Sequence, residues 1–379
     1  MSIIIIEYIQ GIKQKKSIAK EDLFWLGCCL VNIIGFIRAE SRNEAFMFVA
    51  IFTTFILLKI VLSNQSKWIN LYFIAILLFS SIHTLFTLIQ YKLPNIVDKV
   101  NKLILSNALY RVNTSQLNQG KYPGITGQVG ANAFYISIFI AVIFSICYVE
   151  KRGRRKIMYA FLLLLGGVAL ILTGKRGLLL TNIVIISIFL LVKIVKYLKA
   201  NNKIWGHMVG IFLTFMAVIF ILIISFNINS IINYINAEDL TSGRGIIYEE
   251  NIYLIKNHIL LGCGLGKVKS IFGMEGHNIY IQIWAELGII GLFLYLSSLG
   301  LSLINSVRIY MKFSKMDKTG GKILYIILIS IYIQLIFIIY GFTGNPLYDY
   351  FELGIYLVSL SVPIAFLKTK YYGLNEKRE

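Results

Sequence analysis

The sequence predicts an all-α integral membrane protein of about ten transmembrane helices, with a large extracytoplasmic loop that carries an amphipathic helix. Three observations lead there. Of the 379 residues, 57% are hydrophobic and only 15% are charged, against roughly 25% charged in a soluble domain. The apolar residues gather in runs long enough to cross a bilayer, whose core needs about 20 of them per helix. The positive charges that give a formal net charge of +19 sit between those runs, not on one soluble face. Nucleic-acid binding needs such a face, so no nucleic-acid partner is expected and membrane lipid is.

The chain opens with Ile3–Ile6, followed by Lys13, Lys15, Lys16 and Lys20. A secretory signal has the opposite order and a small-residue cleavage site, so the first 21 residues read as a cytoplasmic, surface-lying lead-in. Spans follow near 22–37, 45–62, 68–91, 132–149, 157–173, 178–197, 207–226, 280–307, 323–343 and 353–368. Cytoplasmic loops carry the excess of Lys and Arg. With the N-terminus inside, the inner segments hold Lys151, Arg152, Arg154, Arg155 and Lys156, then Lys193 to Lys203, then Arg308 to Lys322. An even number of helices returns the C-terminus, with Lys368, Lys370, Lys377 and Arg378, to the same side. The whole chain, 1–379, reads as one polytopic domain without an internal repeat. Cys28, Cys29 and Cys147 lie in apolar runs and Cys263 stands alone, so the cysteines read as small hydrophobes and not as a disulfide framework.

Two long outer segments remain, 92–131 and 227–279. Loops of that length are usually functional. In the second, Tyr248, Ile252, Ile255 and Ile259 recur at helical spacing. They predict an amphipathic helix, either on the membrane surface or within a soluble cap.

Charges beside a membrane span are costly, so each is a functional candidate. Three clusters qualify on the outer side: Thr173-Gly174-Lys175-Arg176-Gly177, Ser242-Gly243-Arg244-Gly245 and Gly276-His277-Asn278. The arginine fork is planar, permanently charged and bidentate, which suits phosphate oxygens; anchoring a helix end at lipid headgroups is the plainer role. His277 could accept a proton from a hydroxyl near neutral pH, or could simply cap a helix. Glu286, inside the eighth span, lies nine residues beyond His277 and so about 13 Å deeper. It is expected to pair with a buried cation in a structural role. Gly262-Cys263-Gly264-Leu265-Gly266 lacks dinucleotide-fingerprint spacing and reads as a turn. No Asp-x-Asp pair or His/Cys cluster suggests a metal, and no cofactor is expected.

Taken in order, these elements resemble the O-antigen ligase and polymerase family. The matching residues are Thr173–Gly177, Gly243-Arg244, Leu260-Leu261-Gly262-Cys263-Gly264, His277-Asn278 and Ala285–Gly291. Upstream, Gly127 and Asn132 resemble that family's Gly…Asn approach to the following span. The family-like core covers about 125–300; the family often has Ser at Lys175 and Pro at Ile259. The resemblance implies a GT-C-type, metal-independent glycosyltransferase of the inner membrane, acting outside the cytoplasm on undecaprenyl-diphosphate-linked oligosaccharide. It implies that Arg176 and Arg244 stabilise the departing diphosphate, and that His277 orients or deprotonates the acceptor. Lys175, Asn278, Asn132 and Gly243 would contact substrate, and 227–279 would roof the site. A polymerase of repeat units is the favoured reading, with a chain-length regulator as a further partner to consider. A ligase onto lipid A-core is the alternative. A flippase for the same lipids is disfavoured, since transporters show matched halves and midplane polar sites and this chain shows neither.

Overall fold

The computed structural model describes residues 20–200, 244–316 and 321–375. The lead-in up to residue 19, the expected span at 207–226 and Gly243 lie outside the described residues. The described elements are helices: α1 (Lys20–Ile37), α2 (Arg42–Leu62), α3 (Ile69–Lys92), α4 (Pro94–Ile104), α5 (Asn107–Asn118), α6 (Val129–Val149) and α7 (Gly153–Leu172). After them come α8 (Arg176–Ala200), α9 (Arg244–Asn257), α10 (Lys267–Phe272), α11 (Ile279–Met316), α12 (Gly321–Tyr340) and α13 (Tyr350–Asn375). Eight of these, α2, α3, α6, α7, α8, α11, α12 and α13, are long and apolar enough to cross a membrane. The protein is therefore an all-α, multi-pass membrane protein. Two of the ten expected spans are not in that set: 207–226, which is not described, and α1, whose first turn carries Lys20, Glu21 and Asp22.

Burial explains where α1 goes. It packs along α11, with Trp25 Nε1 donating to Ser302 Oγ at 3.0 Å and Asn32 Nδ2 to Tyr295 OH at 2.8 Å. Its two carboxylates face Lys59 of α2, which is fully buried, ion-paired with Asp22 and 3.8 Å from Glu21. A buried cation persists only with counter-charges of this kind. Helices α6 and α12 form the centre: Asn132 to Ser145 is buried without interruption, as is Ile326 to Gln334. A helix apolar on every side must be enclosed by others. Polar side chains join the helices where lipid offers no competing partner. Asn182 donates to Ser137 Oγ at 2.8 Å and accepts from Tyr332 OH at 3.1 Å, and Gln334 donates to Ser306 Oγ at 2.8 Å. The outer faces of α3 and α7 instead expose Leu71, Leu78, Leu85, Phe161 and Leu164.

One end of the bundle gathers α4, α5, α9, α10 and the turns around 38–41, 173–175 and 341–349; we call it the loop end. The other, with Lys67, Lys151, Arg152, Arg154, Arg155 and Lys322, is the basic end. At the loop end α9 is a helix, as its periodicity predicts, but a different face is buried. Ile247, Asn251, Leu254 and Ile255 point inward, while Ile252 and Ile259 are exposed. Leu254 and Ile255 pack on Val268 and Ala285. The helix stops at Asn257, so Ile259 belongs to the turn that follows and not to the helical stripe.

That turn fits a break in α11. Gly288 has φ 70° and ψ −174°, a backbone region essentially confined to glycine. The break frees carbonyls that Cys263 N and Gly264 N then donate to, reaching Ala285 O at 2.9 Å and Glu286 O at 3.0 Å, while Ile289 N donates to Ile259 O at 2.8 Å. Backbone groups at membrane depth must find partners within the protein, and here the Leu260–Gly264 turn supplies them. A Cβ on Gly288 would collide with the Leu260 carbonyl, and one on Gly262 with the Glu286 carbonyl. Gly288→Ala should therefore lose about 1–3 kcal/mol from backbone strain alone, before the collision is counted. Thermal unfolding of the detergent-solubilised protein should show the drop; an unchanged melting temperature would mean the break is not held by this interlock.

Candidate functional site

Three approaches lead to one cavity at the loop end. The first is the turn into α8. Thr173 Oγ1 donates to Leu170 O at 2.6 Å and accepts from Lys175 N at 3.2 Å. Gly174 takes φ 67°, and the Lys175 carbonyl accepts the first helical bond, from Leu179 N at 3.2 Å. Gly177 leaves room for Thr343, whose Oγ1 would stand 2.6 Å from a Cβ there. Each glycine thus has a steric reason, and the two together present Lys175 and Arg176 at a helix N-terminus.

The second approach is the turn into α11. His277 has φ 55°, the one non-glycine residue with positive φ among the described residues. Its neighbours hold it there: Gly276 N donates to Gln282 Oε1 at 2.8 Å, and Ile279 N donates to Gly341 O at 2.9 Å. Asn278 Oδ1 accepts from Tyr280 N at 3.0 Å and Ile281 N at 3.2 Å, the geometry of a helix N-cap. Strain of this kind, fixed by its surroundings, concentrates at functional sites.

The third approach is the α12–α13 connection, which sequence reasoning passed over. The cavity, about 270 Å³, is lined by Lys175 and His277, by Gln128 and Gly130 at the start of α6, and by Glu275. Tyr340, Asn345, Tyr348, Asp349 and Glu352 complete it. The signal was a dense polar and aromatic stretch, Gly344-Asn345-Pro346-Leu347-Tyr348-Asp349, ending at two carboxylates close to a helix start. Lys175 interacts electrostatically with buried Glu352. Glu275 accepts from Gln282 Nε2 at 2.6 Å. Burial pushes its carboxyl above the ordinary glutamate range, opposed by that hydrogen bond and by Lys269. Glu275 and Tyr348 also wall a second cavity of about 270 Å³, shared with Glu44, Phe48, Lys269 and Tyr350.

The expected site residues are thus only partly assembled. Lys175 and His277 share the cavity. Arg176 follows Lys175 as the first, exposed residue of α8 and does not line it. Arg244 begins α9; its side chain and Gly243 lie outside the described residues. Asn278 has its side-chain oxygen engaged in the cap. Asn132 is fully buried behind the first loop, its Nδ2 donating to Thr87 Oγ1 at 2.8 Å and Tyr122 O at 3.2 Å. It holds the loop and does not face the cavity, because the chain before α6 folds over it. Glu286 is structural, as expected, but not through a cation. Its carboxylate accepts from Gln282 Nε2 at 3.1 Å, Val268 N at 3.3 Å and Tyr348 OH at 3.1 Å. Those donors already fill its surroundings.

Chemically, the cavity pairs Lys175 and the N-termini of α6 and α8, which favour anions, with a histidine, carboxylates and tyrosines. The fold and this cavity define a polytopic membrane protein with an enzyme-like polar site at one end of the bundle. Residues 160–296, from within α7 to beyond the break in α11, match the family model described as O-antigen ligase. The matched segment falls inside the 125–300 expected from the motifs; the α12–α13 connection lies outside it. No curated protein matches the chain.

Asn278→Ala should cost about 1 kcal/mol through loss of the cap, with Asn278→Asp nearly neutral. Melting curves of the two variants distinguish this from a purely ligand-binding asparagine, for which both would melt like the parent.

Proposed function

We propose that the protein is a glycosyltransferase that moves an oligosaccharide from undecaprenyl diphosphate to a sugar hydroxyl, polymerising repeat units of a bacterial surface polysaccharide such as O-antigen or a capsular or exopolysaccharide. The observation that carries the reading is the shared cavity of Lys175 and His277 beside the N-terminus of α8, in a chain with this family match. In this reading the basic end is cytoplasmic, consistent with the Lys and Arg distribution, both chain termini lie inside, and the cavity opens outside the inner membrane.

The acceptor hydroxyl oxygen attacks the anomeric carbon of the donor sugar, and the bond from that carbon to the diphosphate oxygen breaks. The diphosphate leaves on its lipid, and the hydroxyl proton passes to His277. Lys175 in the cavity wall stabilises the charge that accumulates on the leaving diphosphate, as preorganised donors do for any developing anion, and Arg176, exposed beside it at the start of α8, and Arg244 are assigned to the diphosphate outside that wall. Gln128 and Gly130 bring the α6 N-terminus to the same wall. The two cavities that share Glu275 and Tyr348 suit a two-substrate transfer, with the acceptor sugar reaching His277 from the side of Tyr350 and Glu44.

Polymerase is preferred because the first hundred residues are rich in Ile and Lys and lie outside the matched segment, an association of polymerases more than of ligases. The second reading, in keeping with the O-antigen ligase description of the matched family model, is a ligase, with lipid A-core as the proposed acceptor. Deleting the gene separates them: surface glycan capped at a single repeat indicates a polymerase, and long chains stranded on the carrier lipid indicate a ligase. Arg176→Ala, Arg244→Ala and His277→Ala should each lower polymer formation by on the order of 100-fold or more, with normal membrane insertion. Wild-type polymer from any one of them removes that residue from the mechanism.

A further inference from the structure

A further cavity contains none of the groups assigned to the transfer above. It measures about 1300 Å³, beyond the roughly 300–1,000 Å³ of ordinary small-molecule pockets. Its bore is mainly apolar, with Ser81 and Thr84 the polar side chains on α3; it runs along α3 from Phe73 to Leu88, reaches the exposed outer face at Leu78 and Leu85, and is faced by Ile143 of α6 and Leu162 of α7. At 1.5 Å per residue that stretch of α3 is about 22 Å long, most of the hydrocarbon thickness of a leaflet pair, about 30 Å.

The mouth is different. It lies at the basic end and holds Lys151, Arg152, Arg155 and Lys322, with the single carboxylate Glu150. Glu150 is already occupied: Lys151 N and Arg152 N donate to it at 2.9 and 3.0 Å, and Arg155 pairs with it at 3.7 Å. These contacts hold its carboxyl below the usual range. Arg155 therefore balances Glu150, and Lys151, Arg152 and Lys322 leave three positive charges exposed at the opening of a hydrocarbon-lined bore. Tyr148, Tyr310 and Tyr325 stand at the same level, where amphipathic rings mark a membrane interface.

We propose that this cavity binds an anionic phospholipid, with an acyl chain in the bore and the phosphate among Lys151, Arg152 and Lys322. Charge complementarity and bore length select this occupant: basic pockets between transmembrane helices favour anionic headgroups, and free phosphate would leave the apolar length unused. The site is at the opposite end of the bundle from His277, so it stands apart from the glycan donor and acceptor.

Native mass spectrometry of the full-length, detergent-purified protein tests this. Palmitoyl-chain phosphatidylglycerol should bind at least about tenfold more tightly than phosphatidylcholine of the same chains, each basic residue adding to the preference. The triple variant K151Q/R152Q/K322Q, altered only at exposed positions, should lose that preference while keeping its melting temperature. Equal binding of the two lipids by the wild type, or a preference that survives the triple substitution, overturns the proposal. So does short-chain dihexanoyl phosphatidylglycerol binding as well as the palmitoyl lipid, or inorganic phosphate displacing it, since either result reduces the site to a surface anion contact.

Discussion

The arrangement of the loop end depends on one interlock, the fit of the Leu260–Gly264 turn into the break of α11 at Gly288. A helix interrupted inside a membrane exposes carbonyls and amides that lipid cannot satisfy. Here three backbone hydrogen bonds, from Cys263, Gly264 and Ile289, close the gap. Because the turn also reaches α1, with Leu265 N donating to Gly35 O at 3.1 Å, the same contacts fix where α9 and α10 sit. Glu286, two residues before the break at Gly288, then ties α10 to the α12–α13 connection through Val268 N and Tyr348 OH.

The consequences reach the cavity. Gln282 lies between Glu286 and Glu275, donating to both, and its carbonyl oxygen accepts from Gly276 N. The backbone of His277, itself in the left-handed region, is thereby fixed through its neighbour Gly276. A chain of hydrogen bonds runs from the α11 break to the histidine, and each link is a side chain on the first turns of α11. Rigidity of this sort keeps a polar site preorganised at low entropic cost.

The two ends of the bundle have different physical characters. At the loop end, glycines with positive φ, helix N-termini and clustered carboxylates make a polar site of modest volume. At the basic end, exposed Lys and Arg stand over a long apolar bore between α3, α6 and α7. Helix α6 borders both, with Gln128 and Gly130 at the polar site and Ile143 and Ile146 along the apolar cavity.

Much of this was legible in the sequence. Apolar runs located nine of the helices, because a bilayer fixes the length a span must have, but α11 and α13 continue nine and seven residues past the expected ends; the run at 207–226 lies outside the described residues. The motifs around Lys175, His277 and Gly262 also stood out, since glycines and charges are rare beside spans. Tertiary structure decided the rest. The buried face of α9 turned on packing against Ala285 and Val268, which no periodicity count contains. Asn132 and Asn278 went to structural hydrogen bonds because their nearest donors and acceptors are backbone groups brought up by folding. Tyr348, Asp349 and Glu352 joined the cavity only because α12 and α13 return to it, some 70 residues along the chain from His277. Sequence records which groups are costly to place in a membrane; only the fold determines which of them meet.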